Sequence, residues 1–343
     1  MANDIPTELG AWLDAAATVL DTAVWTTEVP GPETVLPQLA ATGLGAVGVP
    51  ADSGGDGGDV TDAVEAIARV SERSLAAGFV LWGHRTFIEY LLASPNQALR
   101  ERLLPDLLTG RIAGATGLSN AMKFLSGLEE LQIVAEQDGD GFRLNGSMPW
   151  VTNLRPSAFQ VAGAVGYGGE IGPFVAALPS DAPGLTRTPD LDLIALRGTN
   201  TAAIKLDNVR IGPEHILTPR ATAWLPRVRP AFLGMQCGMS IGLARRSLRQ
   251  TLEQSGAARH VLHAEATALS EALSEQTAAL QQGLRNGRFL DAPDALFRLR
   301  IALADTVAAA LSLELQATGG RAYLQPHGDG FARSWREAAF IPV

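Results

Sequence analysis

The feature that most constrains this chain is a change of texture, twice, along its length. Up to about residue 112 apolar residues recur at helical spacing, as in Leu9, Leu13, Ala16, Ala17 and Leu20. From 113 to 217 the period shortens to two in "LQIVAEQ" and "FRLNG", and turn signals crowd in: "DGDG", "NG", "GYGGEIG", "PSDAPG". From 218 the helical period returns. Leu262, Leu269, Leu273, Leu280 and Leu284 form one stripe, and Ile301, Leu303, Val307, Ala310, Leu313 and Leu315 another. The expectation is an α+β chain, mostly α. It has an N-terminal helical domain (1–112), a central antiparallel β-barrel or sandwich (113–217) and a C-terminal helical bundle (218–343).

Within the first region, Pro32 is expected to begin a helix running to Leu39, weakened by Pro37. Thr61 is expected to cap the helix carrying Val64, Ile67 and Val70. The loop "VPADSGGDGGDV" lacks the Lys-Ser/Thr of a phosphate loop. The glycines of "AFQVAGAVGYGGEIG" precede a strand-like "PFVAALP", so they read as a hairpin and not as a dinucleotide fingerprint.

Composition narrows the function. The 343 residues are 46% hydrophobic and 18% charged, which is globular, and the net charge of −9 disfavours nucleic acid. Arg245-Arg246 and Arg298–Arg300 read as solvated helix faces, with an oligomer contact as the other reading. The single cysteine, Cys237, in "FLGMQCGMSIG", reads as a buried helix residue, and no metal site is expected. The N-terminus shows no basic region followed by an apolar stretch, and no run is apolar enough to span a membrane, so a cytoplasmic location is expected.

Four segments, in order, carry a family resemblance. They are "GLGAVGVPADSGGDGGDVTDAVEAIARVS", "AEQDGDGFRLNGSMPWVTN", "LIALRGTNTAAIKLDNVRIGPEHIL" and "LQATGGRAYLQPHGDGFARSWREAAF". Together they resemble the acyl-CoA dehydrogenase flavoproteins over nearly the whole chain. The resemblance implies FAD between the β-domain and the C-terminal helices. It implies an acyl-CoA or other small-molecule substrate, an external electron acceptor, and a homodimer or homotetramer whose neighbouring subunit meets the cofactor. Trp150 and Thr152 stand where the family flanks the isoalloxazine ring; an indole offers a rigid apolar face and a hydroxyl a hydrogen bond. In "TGLSNAMKFLSG", Ser119 and Ser126 stand for flavin and diphosphate contacts. Gln316, Gly319 and Gly320 match the loop that meets the adenine half of FAD.

Dehydrogenation also needs a carboxylate to take the α-proton. One family position lies beyond Val343; at the other, before Arg229, stands Val228. The catalytic base is therefore unassigned. The Arg-x-x-Phe-Gly stretch is missing from "LRQTLEQSGAARH", with Arg249 and Arg259 as possible substitutes. His84, in "VLWGHRTFIEY", matches a pocket histidine of flavin-dependent monooxygenases of the same fold. His327 is a second pocket candidate, His215 reads as surface, and His260 with His263 as a polar helix face. The leading expectation is α,β-dehydrogenation of an acyl-CoA. The alternatives are a flavin monooxygenase on the same scaffold and a non-catalytic subunit of a heteromer.

Overall fold

The computed structural model describes residues 5–168, 172–254 and 260–342. The N-terminal helices are α1 (Thr7–Thr22), α2 (Val35–Ala41), α3 (Val60–Ser71), α4 (Leu75–Leu92) and α5 (Gln97–Leu108). The middle holds β1 (Ala113–Thr116), α6 (Ser119–Leu125), β2 (Ile133–Asp138), β3 (Gly141–Val151), β4 (Phe159–Gly166), β5 (Phe174–Pro179), β6 (Leu185–Arg187), β7 (Ala202–Ile211) and β8 (Ile216–Thr218). Then follow α7 (Ala221–Glu253), α8 (His263–Arg285), α9 (Arg288–Asp291), α10 (Pro293–Thr318) and α11 (Asp329–Ala338). The mostly helical α+β layout matches the texture of the sequence.

The sheet runs β6-β7-β3-β2-β4-β5-β8, with β1 also on β4. Five of its seven pairings are antiparallel; β1 and β2 pair with β4 in parallel. β1 takes Phe159–Ala162 and β2 takes Val165–Gly166, so two strands share one edge of β4. Alternation along a strand reports which face is buried but not the direction of its neighbour, so these pairings were invisible in the pattern. β4 and β5 form the expected hairpin, part of whose connecting loop lies outside the described residues.

Several local expectations shift. Pro32–Thr34 is a 3₁₀ turn leading into α2, and Pro37 falls in the first turn of α2, where a missing N–H costs little. The cap of α3 is Asp59, which accepts from the Thr61 backbone at 2.7 Å while Asp62 closes the capping box. Thr61 itself is buried and gives its hydroxyl to Asp59 at 2.5 Å. Ile301 is exposed, whereas Leu303, Val307, Ala310 and Leu313 of α10 are buried. Cys237 is buried in α7, and burial pushes its thiol up to about 12.

The arginine pair on α7 is not a solvated face. Arg245 reaches Glu65 at 2.8 Å, and Arg246 meets both carboxylate oxygens of the buried Glu314 at 3.0 Å. Arg298, by contrast, is exposed and pairs with Asp294 one turn away.

The long helix α7 organises the helical layers, packing on α3, α4, α8 and α10. Its approach to α3 depends on glycine. A Cβ on Gly242 would lie 2.1 Å from the Ala68 carbonyl oxygen, and one on Gly238 would lie 2.6 Å from that of Val64. Gly242→Ala should therefore cost about 1–3 kcal/mol by forcing the two helices apart. Gly320→Ala, which meets open space, should stay within about 0.5 kcal/mol. Urea denaturation of the two variants makes the comparison; equal midpoints would refute the close-packing account.

Candidate functional site

The end of β3 builds the site. From Met148 to Val151 the strand advances three residues while its partner β7 advances two, from Ile204 to Ala202. The extra residue is a β-bulge, and Pro149 stands in it, where the ladder can do without a donor. The bulge turns Trp150 outward: its side chain is 65% exposed although Met148 and Val151 on either side are buried.

Beside Trp150 lies a cleft of about 260 Å³. Its floor is Ile133, Met148 and Ala164; Ser119, Asn120, Gln132 and Ser147 supply polar groups. Gly117 keeps it open, because a Cβ there would fall 2.3 Å from the Met148 sulfur. The rim is organised by Glu129. It takes Lys123 at 2.8 Å and the Asn120 amide at 2.9 Å, and these donors hold its carboxyl below the usual range.

Thr152 is only 6% exposed and is not among the residues lining the Trp150 cleft. Its hydroxyl meets that of Thr201 at 2.9 Å, Thr201 meets Thr199 at 2.7 Å, and Thr199 donates to the Leu196 carbonyl at 2.7 Å. A carbonyl only accepts, so the protons of the chain are ordered. Thr199 gives to Leu196, Thr201 to Thr199, and Thr152 to Thr201. What Thr152 retains for any further partner is its lone pairs.

His84 is fully buried, with both nitrogens committed. Nε2 donates to the Leu107 carbonyl at 2.9 Å, and Nδ1 accepts from the Gly114 N–H at 3.0 Å. The histidine thus ties α4 to α5 and β1, and offers neither nitrogen to a ligand. Burial drives its pKa down to about 4.

The other expected residues lie apart. Ser126 caps the C-terminus of α6, exposed, its hydroxyl 3.4 Å from the Met122 carbonyl. Gln316, Gly319 and Gly320 end α10; a Cβ on either glycine would meet nothing within 4 Å, so this backbone is open to approach. None of these four lines the Trp150 cleft. Val228 is buried in α7, and Arg229 lies over the Phe297 ring at 6.0 Å. Arg249 pairs with Glu72 at 2.8 Å, and Arg259 lies outside the described residues. His215 meets Glu214 at 2.9 Å, and His327 is exposed after α10.

Structure therefore unites Trp150 with Ser119 and adds Asn120, Gln132 and Ser147. Gln132, just ahead of β2, accepts from the Ser147 N–H of β3 at 3.4 Å through its carbonyl, and no local motif marks either residue. The Arg-Gly-Thr-x-Thr stretch was conspicuous, yet its role as a proton-ordering chain shows only in three dimensions.

As a fit test for a flavin, the cleft has an exposed indole, an apolar floor and amide and hydroxyl groups at its edge. That suits a planar ring. Its volume falls below the roughly 300–1,000 Å³ of a whole ligand pocket, so it would hold the ring and not an entire dinucleotide.

Residues 13–111 match the family model described as acyl-CoA dehydrogenase, N-terminal domain. Isovaleryl-CoA dehydrogenase, mitochondrial, of Pongo abelii is 27% identical over 187 residues, 52% of this chain and 44% of that protein. The chain thus spans about half the length of such relatives. A glutaryl-coenzyme A dehydrogenase in complex with glutaryl-CoA superposes with a TM-score of 0.80 at 16% identity, covering 98% of this chain and 91% of that one. Dibenzothiophene monooxygenase TdsC of Paenibacillus sp. A11-2 gives 0.77 at 18% identity, covering 99% and 92%. A TdsC complex with FMN and indole gives the same score at 18% identity, covering 98% and 92%. The fold is the acyl-CoA dehydrogenase fold. Among the described residues no helix is long and apolar enough to cross a membrane.

The histidine sets a testable pH dependence. Its folded value lies below the ordinary 6.5, so between about 4 and 6.5 the unfolded chain binds the extra proton and stability falls as pH drops. Glu337 acts in the opposite sense. Burial raises its carboxyl from 4.5 to about 7, so its contribution is lost as pH rises through that window. Whole-protein stability can therefore look flat. The difference between wild type and His84→Gln isolates the imidazole, and it should narrow by about 2 kcal/mol from pH 7 to pH 5. Urea denaturation at both pH values measures it; a constant difference would contradict the bridging role.

Proposed function

We propose, for a chain of acyl-CoA dehydrogenase fold whose residues 13–111 match that family's N-terminal model, that it is a flavin-dependent oxidoreductase acting on an acyl-CoA thioester. The observation that carries the reading is Trp150, an exposed indole held by a bulge against an open cleft. An aromatic face left to solvent beside such a cleft is what a flat heteroaromatic partner needs. FAD is the flavin proposed, and it would supply the hydride-accepting chemistry when bound. Ser119, Asn120, Gln132 and Ser147 are the side chains available to its polar edge. Gly319 and Gly320 offer an open backbone, and Gln316 an exposed side chain, suited to a second subunit's cofactor in a homodimer or homotetramer. Electrons would leave to an external acceptor.

A second reading has its own support. The ordered hydroxyl chain leaves Thr152 able to accept a hydrogen bond but not to donate one. Toward a flavin N5 that property favours the reduced ring, which carries an N–H there. A protein that takes up flavin already reduced, as a monooxygenase on this scaffold would, fits it. The fold similarity to TdsC and its FMN complex adds to that reading.

The primary test is spectroscopic. The protein reconstituted with FAD should bleach anaerobically on adding a short branched or straight-chain acyl-CoA. Bleaching absent with acyl-CoAs, together with tighter binding of reduced than oxidised flavin, would transfer the assignment to the monooxygenase. Trp150→Ala should weaken flavin binding by about fivefold, the loss of about 1 kcal/mol of stacking; unchanged affinity would move the flavin elsewhere. Thr201→Val removes the acceptor for the Thr152 proton. It should shift the ratio of oxidised to reduced flavin affinity several-fold toward the oxidised ring, and an unmoved ratio would sink the acceptor argument.

A further inference from the structure

We propose that the cavity where α1, α3, α7 and α11 meet binds a phosphate-type oxyanion, at a site separate from the Trp150 cleft. The cavity holds about 350 Å³ and is walled by Arg73, Arg246, Arg249 and Arg333, with Gln250, Asp14 and Glu72. It shares no residue with the cleft. In a chain of net charge −9, four guanidinium groups on one cavity are a local inversion of the overall field.

The arginines come from the turn after α3, from α7 and from α11, and each is held by a partner, Arg73 and Arg249 by carboxylates of the lining itself. Arg246, Arg249 and Gln250 fall at positions i, i+3 and i+4 of α7, hence on one face. Arg246 is anchored through Nη1 by both oxygens of buried Glu314 at 3.0 Å. Arg249 is anchored through Nη1 by Glu72 at 2.8 Å, and Arg73 through Nη1 by Asp14. Arg333 gives Nη2 to the Arg73 carbonyl at 3.2 Å. In each case one nitrogen does the anchoring. A guanidinium carries five N–H donors in a planar fork matched to phosphate and carboxylate oxygens.

Two features mark the site as built. The Nε of Arg333 is buried without a hydrogen-bond partner, the carboxylate of Glu337 standing off at 3.8 Å, and burial depresses the pKa of that side chain. A buried charged donor of this kind is what a bound oxyanion satisfies. Glycines also stand where guanidiniums need room. A Cβ on Gly10 would lie 3.2 Å from Arg73 Cζ, and one on Gly330 would lie 3.4 Å from Arg246 Nη2.

Charge and size select the ligand class. Four guanidiniums against the carboxylates of Asp14 and Glu72 leave the lining with an excess of two positive charges. Behind the wall, Glu314 is taken up by Arg246, and Glu337, whose carboxyl burial raises to about 7, faces Arg333 at 3.8 Å. A dianion complements this better than a halide. The volume, at the lower end of small-molecule pockets, exceeds what bare phosphate fills, so a phosphate ester of a small polar molecule fits as well as the free ion.

The test uses the full chain saturated with FAD, at constant ionic strength. Thermal midpoints are followed against sodium phosphate, ribose 5-phosphate, ribose and sodium chloride. Phosphate and ribose 5-phosphate should raise the midpoint saturably, ribose and chloride should not. A lower half-saturation for the ester assigns the site to organic phosphates, and equal values assign it to the free ion. Arg249→Gln and Arg73→Gln should each weaken the response at least fivefold; both are partly exposed, so neither strands a buried carboxylate as loss of Arg246 would. An equal response to chloride, or an undiminished one in both variants, would overturn the proposal. So would a phosphate response present without FAD and abolished by it. Flavin retention, read separately by absorbance, keeps this result independent of the flavin assignment.

Discussion

The structure turns on one residue of an edge strand, Gly114. β1 pairs with β4 on one side only, so the outward N–H and C=O of Gly114 need partners from elsewhere. The N–H goes to His84 of α4 at 3.0 Å, and the carbonyl accepts from the Asn153 amide at 2.9 Å. No side chain fits there: a Cβ would lie 2.8 Å from that of Phe87. The N-terminal helices, the sheet and the end of β3 meet at that single residue. The joint is protected because every group in it is buried.

Everything at the candidate site descends from that joint. Asn153 sits in the left-handed region at φ 65°, a conformation asparagine tolerates better than most residues. Its N–H bonds the Thr199 carbonyl at 2.9 Å, and the N–H of Leu154 bonds that of Asn200 at 3.1 Å. The Arg197–Thr199 turn is thereby clamped against the strand end, and the hydroxyls of Thr152, Thr199 and Thr201 fall into one ordered chain. Just upstream, the bulge at Pro149 throws Trp150 outward. A rigid buried tie and an exposed ring thus lie within four residues.

The helical layers solve a different problem, packing a long helix against many neighbours while keeping charge inside. Gly238 and Gly242 bring α7 onto α3 at backbone contact, and their neighbours on α7 include Arg245, Arg246 and Arg249. Close approach therefore carries guanidiniums toward Glu65, Glu72 and Glu314. Buried charge of this kind is retained only where it is paired, and the pairing here uses part of each arginine. What is left over defines the basic cavity beside α1 and α11.

Helix or strand, and the order of the three regions, were readable in the sequence because periods of 3.6 and 2 record which face each element buries. The aromatic at the end of β3 was readable for the same local reason, but the Asn145-Gly146 turn signal misled: both residues lie inside the continuous strand β3, where a register shift against β7 and the positive φ of Gly146 use the glycine instead of a chain reversal. Parallel pairing of β1 and β2 with β4 was not, since burial alternates identically in either direction. Nor was the inward use of His84 or Arg246: a histidine or arginine on a helix looks the same in sequence whether it meets water, ligand or a buried carbonyl. Only the tertiary structure decides which donors meet which acceptors, because those partners lie 23, 30 and 68 residues apart and are brought together by packing, not by local propensity.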